Sequence, residues 1–370
     1  MTTTGKQIFT TLESDGTLTV EVATSEFPEP KGNQVLVKME AAPINPSDLA
    51  LLLGPADLEN ADYSDGKIVA KMPEPFNSGA KGRHGQRLPV GNEGAGEVIA
   101  TGDSDMAKAL MGKRVACVPG TAYSQYAIAD ANMCLPLGDI SSKDGASAFV
   151  NPMTALGFVE TAKMEGASAI LHTAAASNLG QMLVRICQED KMPLVNIVRR
   201  KEQVHLLQEM GAEHIVNSSA DDFMNQLRES IDTTDAFFGF DPIGGGKMVD
   251  ACFKAMEQVA VSKMKDYNRY GSNQQKKMYI YGRLDLGPTV LTPAYGFGWT
   301  LSGWLLTPFL QQAGMETVTR MRKRVLDNLT TTFKSDYAKT VTLEEMLEKD
   351  AVLQYRQMRT GEKYLVTPHG

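Results

Sequence analysis

Two rhythms of apolar and polar positions divide the chain. Up to about residue 150, short β-branched runs are punctuated by Gly and Pro, as in Gln34-Val35-Leu36-Val37-Lys38-Met39 and Gly112-Lys113-Arg114-Val115-Ala116-Cys117-Val118. This pattern predicts an irregular, mostly antiparallel β domain. From about Asn151, apolar strands alternate with amphipathic helices, the pattern of a parallel sheet built from βαβ units. The expected strands are 169–173, 194–198, 214–217, 236–240 and about 277–281, with helices at about 178–189, 201–210 and after Gly244-Gly245-Gly246. After about Gly314 the chain turns helical and polar. It ends in Lys363-Tyr364-Leu365-Val366, read as an edge strand returning to the first domain. The expected division is therefore 1–150, 151–313 and a C-terminal return over 314–370.

Two stretches break the rhythm. Residues 54–89 are polar, hold several Gly and Pro, and include Lys81-Gly82-Arg83-His84. A loop of that length reads as a functional lid or mobile insertion. Residues 263–275 read as an inserted loop or hairpin.

A length of 370 residues exceeds what one core usually fills, which agrees with two domains. The net charge of -7 gives no basic field, which argues against nucleic acid as a partner. The cysteines Cys117, Cys134, Cys187 and Cys252 form no CxxC pair, so neither a disulfide framework nor a structural zinc lobe is suggested. No segment approaches the roughly 18 consecutive apolar residues of a membrane span, and no apolar stretch follows the N-terminal charge. The expectation is a soluble cytoplasmic protein.

The strongest chemical signal lies at the first two strand ends of the βαβ region. Thr173-Ala174-Ala175-Ala176-Ser177-Asn178-Leu179-Gly180 leads from a strand into a helix, where a dinucleotide pyrophosphate would meet a helix N-terminus. Its glycines are mostly gone. Small Ala side chains still allow close backbone approach, Asn178 is the expected left-handed residue, and Gly180 keeps the helix against the strand. An unrelated strand-to-helix turn remains open. The next strand ends in Arg199-Arg200-Lys201, with no acid before Glu202. An acid there would hold a ribose 2′-hydroxyl, whereas guanidinium groups suit a 2′-phosphate. A solvated basic helix start is the alternative, but cations at a helix N-terminus oppose its dipole. The cofactor expected is NADPH.

These residues, with Ala41-Ala42-Pro43-Ile44-Asn45-Pro46-Ser47-Asp48, Gly91-Asn92-Glu93-Gly94, Asn151-Pro152-Met153-Thr154-Ala155 and Gly211-Ala212-Glu213-His214, resemble the zinc-free branch of the medium-chain dehydrogenase/reductase superfamily. The likeness is to trans-2-enoyl-CoA reductases and quinone oxidoreductases. It implies an α/β fold: a Rossmann doubly wound parallel sheet plus a GroES-like, mostly-β catalytic domain, commonly in a homodimer joined through the Rossmann sheets. In the zinc enzymes a Cys stands at about Asn45 and a His at Asn92; a neutral amide is a poor zinc ligand, so no metal is expected.

The resemblance further implies cofactor contacts at Asn151, Thr154, Ala176, Ser177, Asn178, Leu179, Tyr281, Gly282, Arg283, Leu284, Gly303, Trp304, Leu305, Leu306 and Lys363, beside Arg199, Arg200 and Lys201. Trp304 also reads as core or dimer interface, and Lys363 as solvated. In the resembled enoyl reductases a tyrosine before the Gly-Asn-Glu-Gly segment donates a proton, and Tyr63 is the only tyrosine in that interval. A solvent-exposed loop tyrosine is the alternative. Asp241-Pro242-Ile243-Gly244-Gly245-Gly246 is read as a turn close to the nicotinamide. His172, without a nearby acid or nucleophile motif, reads as a packed core histidine, and the remaining histidines show no metal spacing.

The reaction expected is NADPH-dependent reduction of an activated C=C bond in a small molecule: an α,β-unsaturated thioester, enal or enone. A quinone reductase and a nearly inactive, crystallin-like NADP(H)-binding protein are the rivals.

Overall fold

The computed structural model describes residues 2–370. The described residues divide into two compact units, 2–150 with 324–370, and 151–323.

The first unit contains β1 (Thr3–Leu12), β2 (Thr17–Phe27), β3 (Gln34–Pro43), β4 (Lys67–Lys71), β5 (Arg87–Pro89), β6 (Gly94–Thr101), β7 (Arg114–Cys117), β8 (Tyr126–Asp130) and β9 (Cys134–Pro136). β4, β2, β1 and β5 form one antiparallel sheet in that order. The interval 54–89 is therefore not a lid. Val20 pairs with Ile68 and Thr10 with Leu88, and the helix Glu74–Gly79 lies between these strands. Val20, Ile68, Ala70 and Met72 from these segments join one apolar core, which offsets the ordering entropy of a stretch rich in Gly and Pro.

The second sheet of this unit includes β3, β6, β7 and β9, with β8 also paired to β3. Buried Val35, Val37, Val98 and Val115 give it an apolar inner face. The chain's last strand is here, but not as an edge. β19 (Tyr364–Val366) pairs antiparallel with β3, and β18 (Lys339–Val341) runs parallel on its other side.

The second unit contains β10 (Ile170–His172), β11 (Leu194–Val198), β12 (His214–Asn217), β13 (Phe238–Asp241), β14 (Gly244–Gly246), β15 (Lys276–Ile280), β16 (Asp285–Thr289) and β17 (Trp299–Gly303). Six of these form a parallel sheet in the order β12-β11-β10-β13-β15-β17. The order reverses between β10 and β13, the arrangement of a doubly wound sheet, whose ligand crevice opens at the carboxyl ends of the strands flanking the reversal. Leu171, Val195, Ile197 and Val216 of the strands pack with Leu227, Ile231, Phe253 and Met256 of the crossover helices Phe223–Thr234 and Met248–Ser262. β14 and β16 pair outside this sheet. Residues 263–275 form an irregular loop anchored by Ser272, whose backbone N–H donates to Glu257 at 2.8 Å. Among the described residues no helix is long and apolar enough to cross a membrane.

Candidate active site

In the second unit, the segment after β10 is tied at both ends before the helix Asn178–Asp190 begins. Thr173 N–H donates to Phe240 O at 3.1 Å and Ala175 N–H to Ile197 O at 3.0 Å, which binds the loop to both neighbouring strands. The left-handed residue is Ala174, at φ 53°, and not Asn178, which is the first residue of the helix. Ser177 caps that helix, its Oγ accepting from Gly180 N–H at 3.1 Å, so the Asn side chain is not needed for the turn. A Cβ at Gly180 would stand 2.1 Å from Ala175 O, so only glycine lets the helix meet the loop. A helix N-terminus held this way is suited to an anion.

Arg199 and Arg200 follow β11 and are exposed, as is Lys201 at the start of the helix Lys201–Glu209. Their backbone N–H groups, each 3.1 Å from Gln203 Oε1, are capped by a neutral side chain rather than an acid. No carboxylate is thus spent on the turn that carries the two guanidinium groups.

The ends of β13, β15 and β17 are laddered together: Tyr281 N–H donates to Asp241 O at 3.0 Å, Leu284 N–H to Pro242 O at 3.0 Å and Trp304 N–H to Ile280 O at 2.9 Å. Gly244, at φ 78°, would place a Cβ 2.8 Å from Gly282 O, so the glycine turn lies directly on this segment. Arg283, Leu284, Gly303 and Leu305 are exposed, Tyr281, Gly282, Trp304 and Leu306 half-buried. Trp304 is packed as well as placed at the strand end: its ring meets Phe158 and Phe309, and its Nε1 donates to Thr161 Oγ1 at 3.0 Å. Asn151 and Thr154 are buried on the helix Val150–Met164.

Two side-chain pairs at the same strand ends escaped sequence reasoning. Thr173 Oγ1 donates to Asp241 across the β10/β13 reversal, and Asp241 also accepts from Gly244 N–H at 2.7 Å. Burial raises the Asp241 carboxyl above its ordinary value against these bonds. An acid closing an apolar strand before a glycine turn was the available signal. The second pair is His172 Nε2 with Tyr281 Oη, 2.7 Å apart. His172 is fully buried, as expected of a core residue, and burial pushes it down to about 3.

That shift makes a prediction. The folded-state value lies below the unfolded value, so the neutral imidazole contributes stability above pH 6.5 that is lost as pH falls towards 3. Denaturant midpoints should show a loss of about 2 kcal/mol between pH 7 and pH 5 from this group. His172→Gln should flatten that slope; an unchanged slope would assign it elsewhere.

The first unit holds its own polar group. Asn45 Nδ2 donates to Glu93 Oε1 at 2.9 Å, and Glu93 Oε2 accepts from the Phe149 and Val150 N–H groups, each at 2.9 Å. Asp48 accepts from Asn45 N–H at 2.9 Å and Asn92 N–H at 2.7 Å, while Asn92 Nδ2 donates to Ser47 Oγ at 3.0 Å. Burial raises both acids, Asp48 to about 6. Both amide nitrogens are donors here, and an amide N–H offers no lone pair to a metal. Among the described residues no group of three or more His, Cys, Asp and Glu is placed to hold a metal ion. Lys363 Nζ donates to Ser147 Oγ at 2.8 Å. Tyr63 is half-buried, its hydroxyl donating to Leu58 O at 2.8 Å, and burial raises its phenol. The second unit thus gathers the loop, the arginines and the strand-end segments, whereas Tyr63 and Lys363 belong to the first.

Comparison with known proteins agrees with this architecture. Residues 31–148 match the alcohol dehydrogenase GroES-like domain. Mouse (Mus musculus) prostaglandin reductase-3 is 25% identical over 191 residues, 51% of this chain and 44% of that protein. Human (Homo sapiens) mitochondrial enoyl-[acyl-carrier-protein] reductase is 27% identical over 209 residues, 53% of this chain and 48% of that protein. The chain thus spans about half the length of the curated relatives it matches. The crystal structure of a putative NADPH:quinone reductase from Mesorhizobium loti superposes with a TM-score of 0.75 at 26% identity, over 99% of this chain and 98% of that one. With a GroES-like domain in the first unit and a doubly wound parallel sheet in the second, the chain has the domain make-up of the medium-chain dehydrogenase/reductase superfamily and is similar to its enoyl and quinone reductases.

Proposed function

We propose that this chain reduces an activated C=C bond, in an α,β-unsaturated thioester, enal or enone, with NADPH and without zinc. The observation that carries the proposal is the cationic end of β11, where Arg199 and Arg200 are exposed and a glutamine caps the following turn. That end adjoins the Ala174–Gly180 turn, tied to β11 through Ala175. The residues fit the cofactor: Ala176, Ser177, Asn178 and Leu179 would receive the pyrophosphate, and Arg199, Arg200 and Lys201 the 2′-phosphate. Asn151, Thr154, Tyr281 to Leu284, Gly303 to Leu306 and Lys363 would complete the contacts. When bound, NADPH supplies the hydride, and the protein orients the reacting atoms.

Hydride addition to an electron-poor C=C needs no Lewis acid, in keeping with Asn45 and Asn92 where thiolate or imidazole would bind zinc. The balancing proton comes from Tyr63 or from water. The Tyr63 hydroxyl is engaged by the Leu58 carbonyl, which favours the second source. Tyr63→Phe is then expected to keep kcat within about threefold, whereas a loss of about tenfold or more would return the role to Tyr63.

The similarity to the NADPH:quinone reductase structure supports a second reading, quinone reduction with the same cofactor contacts. Steady-state rates with NADPH on a crotonyl thioester, an enal and a quinone separate the two; activity on the quinone alone would overturn the enoyl reading. NADPH binding by fluorescence without turnover of any of the three would assign a binding protein instead. We further propose a homodimer joined through the parallel sheets.

A further inference from the structure

The strand order gives a direction along the crevice of the second unit. A dinucleotide held by the arginines after β11 and by the helix N-terminus after β10 runs next over the end of β13, the strand across the reversal. Its nicotinamide half would lie at that end, and Asp241 is the last residue of β13. The Asp241 side chain is 0% exposed. Its bonds come from Thr173 Oγ1, from Gly244 N–H at 2.7 Å and from the backbone of Ile243, and none of these donors is a cation. Cys252 and Tyr281 also face it: burial first and the Asp241 charge second raise both, and neither side chain can turn positive. The carboxylate is held by neutral groups throughout.

A carboxylate is costly in such a place, and hydrogen bonding alone does not call for one. An asparagine would accept the Gly244 bond through its carbonyl oxygen and donate to the Thr173 hydroxyl with its amide, without burying a charge. The charge is what sets the acid apart. Loss of hydride takes both electrons of a C–H bond to the substrate and leaves a nicotinamide ring positive, so a fixed negative charge near the ring favours its oxidised form. We propose that Asp241 supplies this charge at the strand end where the nicotinamide half would lie and so makes bound NADPH a stronger hydride donor, an inference that rests on the NADPH reading above. Asp241 is buried and touches neither cofactor nor substrate. It is a positioning residue, acting through its field and through the glycine turn it holds at Gly244 N–H.

The hydrogen bonds suit an ionised side chain. Burial raises Asp241, while the bonds from Thr173, Gly244 and Ile243 oppose that shift. Both of its oxygens accept, as those of an ionised carboxylate do.

Dissociation constants of NADPH, NADP+ and adenosine 2′,5′-bisphosphate, measured by titration calorimetry on the full chain, test the charge without turnover. Asp241→Asn should weaken NADP+ by about tenfold or more relative to NADPH. A tenfold change in the ratio of these two constants raises the potential of the bound couple by about 30 mV. The bisphosphate has no nicotinamide and should bind as tightly as before. Asp241→Ser should shift the ratio in the same direction, and it provides the comparison where the Asn variant does not fold. Thr173→Ala removes one bond to the carboxylate but keeps its charge, and should leave the ratio within about threefold. Equal weakening of NADP+ and NADPH in Asp241→Asn would overturn the proposal, because the acid would then only hold the glycine turn. An unchanged or reversed ratio would overturn it too, as would a Thr173→Ala variant that shifts the ratio as far as Asp241→Asn. A wild type that binds none of the three ligands would instead overturn the NADPH reading itself, and the role of Asp241 with it.

Discussion

Replacing Arg199 and Arg200 together with alanine is expected to raise the KM for NADPH by about two orders of magnitude while leaving that for NADH within about threefold. A hydrogen bond to a charged group contributes about 1.5–3 kcal/mol. Both guanidinium groups are exposed, so solvent screening favours the lower end of that range. Two contacts at about 1.5 kcal/mol each, at about 1.4 kcal/mol per tenfold, give an effect of about a hundredfold. NADH lacks the 2′-phosphate and has nothing to lose. The fold should be indifferent, because the turn is capped by Gln203 Oε1 through the backbone of both arginines and not by their side chains. Removing two cations from a helix N-terminus relieves an unfavourable dipole interaction, so the melting temperature should hold or rise slightly. The wild-type KM for NADPH should also climb with ionic strength, and this slope should shrink in the double variant. Equal effects on both cofactors would make the pair a surface feature.

The strand and the helix that flank Arg199 and Arg200 were legible, because an apolar run and a helix start are patterns of position. The same holds for β10 to β12, whose strands are apolar and whose following helices carry the opposite periodicity. The interval 54–89 misled because β4 and β5 are five and three residues long, and Gly and Pro around them mask the alternation of Ile68 and Ala70. β16 was invisible, since every residue of Asp285–Thr289 is exposed and it is held by pairing with β14 rather than by a core. Ala174 gave no residue-type signal for its left-handed backbone; hydrogen bonds from its neighbours Thr173 and Ala175 to the adjacent strands impose it. Least legible were the polar groups. Ser147 and Lys363 are 216 positions apart, and a buried hydroxyl has no periodicity to betray it.

The polar stretch after the helix Met248–Ser262 was read as an insertion, and its anchor sets the largest stability loss expected from one substitution, at Glu257. Lys276 is 0% exposed, with its Nζ 2.7 Å from Glu257 Oε2. The same carboxylate accepts from Ser272 N–H at 2.8 Å and Ser272 Oγ at 2.6 Å, so it holds both the strand β15 and the loop before it. Glu257→Ala would leave the ammonium with only Ser272 Oγ and Gln274 O, at 3.1 and 2.6 Å. Breaking one side of a buried pair costs about 3–5 kcal/mol, most of it from the uncompensated charge. Glu257→Leu combined with Lys276→Met should therefore recover most of the loss, since an apolar pair of similar volume leaves no charge stranded. Burial raises Glu257, but its bonds to Lys276 and Ser272 outweigh this and hold it below the ordinary 4.5. A depressed folded-state value contributes stability above 4.5 that is lost as pH falls through the folded-state value. The gap between the wild type and the apolar double variant should accordingly shift in favour of the variant under acid conditions. Urea midpoints of these three proteins, at neutral and acid pH, measure each of these differences, and a double variant no more stable than Glu257→Ala would show that the carboxylate's bonds to Ser272, not the buried charge, dominate.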